Sequence, residues 1–386
     1  MSRIDELSAR LCPQGVNRRS IGSLITRVRD RGKNDKSISQ VYVVSNTQGI
    51  VRSEDFHDKE IHSDDTSNYT IIRPGMFAYN PSRLNIGSLG LLTYDVSGLV
   101  SPMYVVFSID NKVINKDYLM YNLKSSYVRT KIDSLKEEGA RFRFDFKRWD
   151  RIEIPVPPLE VQEEIVRILD KFKNLSLILE KELDYRKQQY KYYRNEMLMF
   201  DTNIPQMILD EVCNISAGGD APKEEMSKEK TEQYNIPIIS NGIGENAFYG
   251  YTSSPRITEP AVTVAARGTI GYAEYRDYPY FPIIRLLSVI PKDTSVLNTR
   301  YLYYCLQGKE YNVPTSGIPQ LTAPMLKKVI VPVPGLSVQE RIVSVLDTFE
   351  AFCSDLNIGL PAEINARQKQ FEYYRDKLLN FKEAKE

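Results

Sequence analysis

From Val161 the apolar residues advance in steps of four and three: Val161, Ile165, Ile168, Phe172, Leu175 and Leu179. This spacing keeps one stripe turned toward a partner and predicts a heptad seam. A further step of four, to Leu183, is a stutter that relaxes the supercoil before the stripe resumes through Arg186, Tyr190, Tyr193, Met197 and Phe200. The pattern predicts one helix over Leu159–Phe200, ~63 Å long at 1.5 Å per residue, too long to lie within one small domain. A second stripe runs Val338, Ile342, Val345, Phe349, Phe352, Leu356. Ser337 and Glu340 form an S-x-x-E pair at its start, which predicts a capping box. Gly359-Leu360-Pro361 then predicts a break, with a further helix through Phe371, Tyr374, Leu378 and Phe381.

The two stripes are copies. Twelve of the eighteen positions from Pro155 to Phe172 recur 177 residues later, from Pro332 to Phe349. A following block, Arg186, Gln189, Tyr192-Tyr193-Arg194, Leu198 and Phe200, recurs at an offset of 181 as Arg367, Gln370, Tyr373-Tyr374-Arg375, Leu379 and Phe381. The four additional residues fall near the Gly359 break. A long-period repeat predicts two related halves, each a globular part followed by a near-constant helix.

The globular parts read as strand-rich. Val41–Val44, Tyr104–Phe107, Ala261–Val264 and Leu286–Ile290 are short runs rich in β-branched and apolar residues, bounded by turn residues. Each part ends on a short helix, about Lys116–Tyr121 and Asn298–Tyr304, and carries an Ile-Gly turn (Ile86-Gly87, Ile270-Gly271). The expected architecture is α+β: two strand-rich globular domains, residues 1–154 and 204–331, separated by helical spacers 155–203 and 332–386, the latter broken near 359–361. The spacers are expected to pack as an antiparallel coiled coil.

With 386 residues the chain holds two cores of ordinary size, and 42% hydrophobic against 26% charged residues reads as soluble and globular. No apolar run approaches the ~20 residues needed to span a bilayer, and Met1–Arg10 is polar, so a cytoplasmic protein is expected. Cys12, Cys213, Cys305 and Cys353 are scattered, as in a protein with reduced thiols. His57 and His62 lie in an acidic loop with no further ligand set, so no metal site is expected. The net charge of +1 excludes a protein that coats DNA by charge alone. It is uneven, however: residues 1–150 hold 23 Lys and Arg against 18 Asp and Glu, and residues 201–329 hold 12 against 14. Local patches or a partner must supply much of any attraction to phosphate.

No catalytic apparatus is visible. A phosphate-cradling G-x-x-x-x-G-K-[ST] and a dinucleotide G-x-G-x-x-G are both absent, and two histidines in one loop assemble no nucleophile–base pair. Asn80-Pro81-Ser82 lacks the second proline and the aromatic of an adenine methyltransferase loop and reads as a turn.

The doubled P-V-P-x-L-x-V-Q-E-x-I-V-x-x-L-D-x-F block and the R-x-x-Q-x-x-x-Y-Y-R helix resemble the specificity (S) subunit of Type I restriction–modification systems. So do the opening Cys12-Pro13-Gln14-Gly15-Val16 and the segment Ile318-Pro319-Gln320-Leu321-Thr322. The likeness runs over essentially the whole chain. It implies that each globular part is a target recognition domain for one half of a bipartite, asymmetric sequence in double-stranded DNA. The helices would act as a ruler and dock two modification (M) subunits, which restriction (R) subunits join. It also implies that this chain is not an enzyme and carries no cofactor. S-adenosylmethionine would sit on the M subunits, with ATP and Mg on the R subunits. A scaffold that assembles enzymes without reading DNA is the competing expectation.

For DNA contacts the first domain offers Arg83, Asn85 and Ser88 in the turn-rich loop 80–90. It also offers Arg141, Arg143 and Lys147, which alternate with aromatics at a strand's period. The second domain offers Lys223, Asn241, Arg267, Thr269 and Gln320. Arg and Asn suit the edges of guanine and adenine, and Lys suits phosphate. The layout 267–271 corresponds to 83–87, although pairing of Arg267 with a carboxylate such as Glu274 is as well supported. Tyr192, Tyr193, Arg194, Tyr373, Tyr374 and Arg375 are candidates for partner docking, or for packing along the seam.

Overall fold

The computed structural model describes residues 3–56, 65–135, 142–201, 203–314, 318–355 and 357–384. Five helices carry the repeat: α1 (Lys116–Leu123), α2 (Leu159–Leu198), α3 (Thr299–Leu306), α4 (Leu336–Ser354) and α5 (Leu360–Leu378). The chain divides into two compact units, one of Met1–Glu180 with Glu363–Glu386, the other Lys181–Ala362. Each unit therefore joins a globular domain to the front of its own helical block and to the rear block of the other copy. This grouping cuts across the linear order of domain and spacer. Helix α2 belongs to both units.

Within the first unit, Ile25–Val28, Val105–Ile109, Phe77–Tyr79 and Leu89–Leu91 form an antiparallel sheet in that order. A second sheet has Val41–Ser45 at its centre, antiparallel to Gly49–Arg52 and parallel to Gly98–Val100. In the second unit Cys213–Ala217, Leu287–Pro291, Ala261–Val264 and Ala273–Arg276 repeat the first sheet with the same order and directions. The second sheet is repeated only in part. Its fourth strand, Thr70–Ile72, lies outside Gly98–Val100 in the first unit, whereas Met226–Ser227 lies outside Phe248–Thr252 in the second. Divergence thus falls on the second sheet and spares the one that carries the helices.

The constant blocks owe their recurrence to a fixed set of clamps. Where the chain leaves each domain it pairs with the strand that entered it: Arg18 opposite Pro155, and Gln206 opposite Pro332. The side chain of Gln162 is fully buried just inside α2. Its oxygen accepts from the Asn115 N–H (2.8 Å), and its amide donates to the carbonyls of Val113 (3.1 Å) and Pro157 (2.7 Å). Gln339, equally buried, accepts from Asn298 N–H (2.8 Å) and donates to Val296 (2.8 Å) and Pro334 (2.7 Å). The Tyr118 hydroxyl donates to Pro155 O, and that of Tyr301 to Pro332 O. Asn115 and Asn298 also cap α1 and α3 with their side chains, so one residue starts the helix and its backbone holds the glutamine.

The rear blocks complete the units. In the first, the rings of Phe172 and Tyr374 stack at 5.3 Å. In the second, Phe349 lies against Tyr190 (5.9 Å) and Tyr193 (6.4 Å). Phe172 matches Phe349 and Tyr374 matches Tyr193, so the same pair forms twice with the copies exchanged. Burial pushes the Cys353 thiol up, and the charges of Lys187 and Arg186 draw it back. With Phe349 near Tyr190 and Tyr193, and Cys353 near Arg186 and Lys187, the two helices of the second unit run antiparallel.

Three details depart from the pattern-based expectation. Helix α4 begins at Leu336 with Gly335 as its cap, so Ser337 lies within the first turn and forms no capping box. The chain breaks between Ser354 and Leu360, where Gly359 (φ +92°) closes on the Phe352 carbonyl; a Cβ there would lie 2.5 Å from that oxygen. Leu175, a seam position, is 37% exposed, and Leu177 and Ile178 beside it are exposed too, so the burial of the stripe falls off beyond Leu169.

Replacing Gln162 or Gln339 by Ala leaves a buried N–H and two carbonyls without partners, at about 1–3 kcal/mol per group. Each substitution is expected to lower unfolding free energy by roughly 3 kcal/mol in a denaturant titration, whereas Gln188→Ala on the exposed helix surface is expected to change it by less than about 0.5 kcal/mol.

Candidate nucleic-acid interface

In the first domain the chain passes from Phe77–Tyr79 into the turn Asn80–Ser88, and Phe144 returns beside it, its N–H donating to Pro81 O (2.9 Å). This brings Arg83 and Arg143, sixty residues apart in sequence, to one cleft of about 470 Å³. Arg27, from the strand Ile25–Val28, lines it too, with the polar Asn80 and Ser82 and with Met103 and Tyr104. Three guanidinium groups, from a strand, a turn and the irregular segment beside it, are suited to an anionic ligand with planar acceptor edges.

The second domain builds the same place with other residues. Leu321 N–H donates to Ala266 O (2.9 Å), as Phe144 does to Pro81. Gln320 therefore stands where Arg143 stands, and Arg267 comes one residue after Ala266, where Arg83 comes two after Pro81. The Gln320 side-chain oxygen accepts from Arg267 Nε (3.0 Å) and Nη2 (2.7 Å) and from Arg285 Nη1 (3.3 Å). Arg267 makes no pair with Glu274, whose carboxylate is taken by Arg276 at 2.8 Å. Arg285 follows Ile284, and both have positive φ, 50° and 59°, the only such non-glycine residues among those described. The left-handed region costs an L-residue roughly 1–2 kcal/mol.

The other candidates separate. Ser88 is buried in the wall of the same cleft, and its hydroxyl donates to Val44 O (3.1 Å), so it braces the loop that carries Arg83. Asn241 is equally committed: its amide donates to Ile284 O (2.6 Å) and its oxygen accepts from Ala266 N–H (2.8 Å). The exposed Thr269 hydroxyl donates to Asn241 O (2.9 Å). Asn85 is half-buried in the Arg83 turn. Lys223 lines another groove, among Asp220, Glu224 and Glu225, which weakens its pull on phosphate. Of the predicted strand 141–147, the described residues from 142 are irregular chain followed by a 3₁₀ turn from Phe146, with the Asp145 side chain accepting from Lys147 N–H. Alternation survives in burial, with Arg143 and Lys147 exposed and Phe144 inside. Arg141 lies outside the described residues. Arg27 and Arg285 were not candidates. A basic residue inside an apolar run, as in Ile283-Ile284-Arg285-Leu286-Leu287, was the available signal.

On the helices Tyr192, Tyr193 and Tyr373 are exposed, at 59%, 46% and 61%, and are open to a partner. Tyr374 is engaged with Phe172. Arg194 and Arg375 are buried and unavailable for docking: Arg194 donates to Gln307 and Asn195, and Arg375 to Ser126 and Asp376. They tie the rear block of one copy to the domain of the other.

One clamp differs in sign between the copies. In the second unit Arg300 of α3 is held by Asp347 (2.7 Å) and Glu350 (2.8 Å) of α4 and lies over the rings of Tyr275, Tyr303 and Tyr304. The Tyr304 hydroxyl donates to Asp347, as that of Tyr121 donates to Asp170 (2.5 Å) in the first unit. At the positions of Arg300 and Glu350 the first unit carries Asp117 and Lys173, which line one cavity. Burial pushes the Asp117 carboxyl up, while Lys116 and Lys173 draw it down.

The family model for the Type I restriction modification DNA specificity domain matches this chain twice, over residues 50–185 and 206–366. A predicted type I specificity subunit of Mycoplasma pneumoniae is 34% identical over 295 residues, covering 72% of this chain and 85% of that one. The specificity subunit of the EcoR124I/EcoR124II type I restriction enzyme of Escherichia coli is 29% identical over 319 residues, covering 75% and 76%. Among solved structures, a chain from a study of complex assembly and conformational transition in the type I system covers 96% of this chain and 98% of its own, with a TM-score of 0.64 at 17% identity. The S subunit from M. genitalium covers 95% and 96%, with a TM-score of 0.51 at 15% identity. These structures share the fold. The protein is a two-domain α+β chain built around a duplicated helical frame. It belongs to the Type I restriction–modification DNA specificity family.

Arg300→Ala leaves two carboxylates half-buried without their cation. It is expected to cost about 3 kcal/mol in thermal or denaturant unfolding. A double-mutant cycle over Arg300 and Asp347 checks the coupling, expected to exceed about 1 kcal/mol.

Proposed function

We propose that this chain is the DNA-reading subunit of a Type I restriction–modification complex, each globular domain reading one half of a bipartite, asymmetric target in double-stranded DNA. The observation that carries the reading is the recurrence of an arginine-bearing site at the same place in both domains, with different residues in each: Arg27, Arg83 and Arg143 in one, Arg267, Arg285 and Gln320 in the other. Equal position with unequal chemistry is what two half-sites of different sequence require. Base edges in the major groove are distinguished by such donors at about 1–3 kcal/mol each, so two short readouts on one frame multiply their selectivity.

In this reading the duplicated helices set the gap between half-sites and dock two M subunits, with exposed Tyr192 and Tyr373 as equivalent contacts. R subunits join that assembly. S-adenosylmethionine belongs to the M subunits, and ATP with Mg to the R subunits. The specificity subunit supplies recognition and no chemistry, and the complex works in the cytoplasm.

Adenine modification mapped across the DNA of cells expressing this chain with its M subunit tests the reading. A split, asymmetric methylated motif is expected. Arg83→Ala with Arg143→Ala is expected to relax one half and leave the other intact. Methylation with no sequence preference, by a complex shown to be assembled, is the outcome of a scaffold that reads nothing.

A further inference from the structure

The connection that leads into the central strand Leu287–Pro291 is strained at a residue type that tolerates it poorly. Ile284 is β-branched, has φ 50° and is half exposed, and Arg285 follows at φ 59°. Such a pair persists only where its surroundings over-determine it. Here they do. The N–H groups of Ile283, Ile284, Arg285 and Leu286 donate to the carbonyls of Ile239, Gly219, Gly218 and Ile283, and the Ile284 carbonyl accepts from the Asn241 amide. A backbone pinned at five points aims the Arg285 side chain.

That side chain goes to a second cation. Arg267 spends Nε and Nη2 on the Gln320 oxygen, and Arg285 spends only Nη1 on the same oxygen. Among the described residues neither guanidinium is paired with a carboxylate. Two positive groups share one neutral acceptor, and the Nε–Nη2 edge of Arg285 has no partner among those residues. An aligned pair of donors beside a held cation matches two acceptors in one plane, as guanine O6 and N7 present them.

We propose that Arg285 is the specificity-determining residue of the second domain, donating through its Nε–Nη2 edge to a guanine in the major groove. Arg267 and Gln320 act as positioning residues that hold its other edge, and the strained Ile284–Arg285 backbone sets its direction. The proposal rests on the DNA-reading function above and names one contact within it.

The test is adenine-modification mapping with the full chain and its M subunit, for the wild type, Arg285→Ala, Arg285→Lys and Gln320→Ala. Both Arg285 variants are expected to lose at least about tenfold discrimination at a single G·C pair in one half-site, with the other half-site unchanged. Lysine keeps the charge and loses the planar fork, so its failure to rescue separates base reading from phosphate attraction. Gln320→Ala is expected to weaken discrimination at that same pair. An intact motif in both Arg285 variants overturns the proposal while leaving two-domain reading in place, as does relaxation at an A·T pair or in both half-sites. Rescue by lysine also overturns it and makes Arg285 a phosphate contact. If Arg285→Ala yields no folded complex, Arg285→Lys alone decides. A wild-type complex with no motif overturns the underlying reading and the proposal with it.

Discussion

A glutamine buried without charge, and satisfied at every one of its bonds, holds each half of this molecule together. Gln162 and Gln339 reach from the start of a long helix into the loop that begins a domain helix, and bind the carbonyl of the proline turn behind them. An unmet polar group in that position would cost more than the hydrogen bonds return, so loop, turn and helix fix one another's geometry or none of them forms. The tyrosine hydroxyls on Pro155 and Pro332 close the same corner. Within the repeated block P-V-P-x-L-x-V-Q the glutamine and the prolines meet in backbone contacts, and Val156 and Val161 pack in the core. Backbone contacts are indifferent to the sequence of the domain they hold, which leaves the domains free to diverge.

Frame and tip are separated accordingly. The sheet that carries the helices has one strand order in both units, and the second sheet adds its fourth strand at opposite edges. The arginine sites sit at the mouth of the first kind of sheet, where strands are short, pinned and already paired. Rigidity comes from the repeated part and identity from the variable part, the arrangement expected of precise recognition.

Much of this was legible along the chain. The stripe from Val161 to Leu169 and the Gly359 break were readable because periodicity and a glycine demand little of tertiary context. Arg83 with Arg143, and Arg267 with Gln320, were readable as separate basic or amide-bearing loops, though nothing local showed that each pair meets. Ser88 and Asn241 both bond to backbone, which nothing local foretold, since a polar residue in a turn satisfies the fold's own backbone as readily as a ligand. Arg194 and Arg375 misled because recurrence marks any contact made twice, and theirs is internal. Arg285 was hidden altogether, since no propensity suggests a left-handed Ile-Arg pair. Its conformation is imposed by partners as far as 67 residues away in the chain, such as Gly218 and Gly219.

The sign reversal between Asp117 with Lys173 and Arg300 with Glu350 bears on how such proteins are assembled from parts. Seated on α4, the first domain would set Asp117 against Asp347 and Glu350, three carboxylates in one half-buried corner. The glutamine and tyrosine clamps accept either domain, and the charges accept only one. The portable cassette is therefore larger than the recognition domain: it ends past Lys173 in the first copy and past Glu350 in the second. Recombination that cuts at the proline turn scrambles the lock, and recombination that cuts one helical turn beyond the aspartate carries its key along.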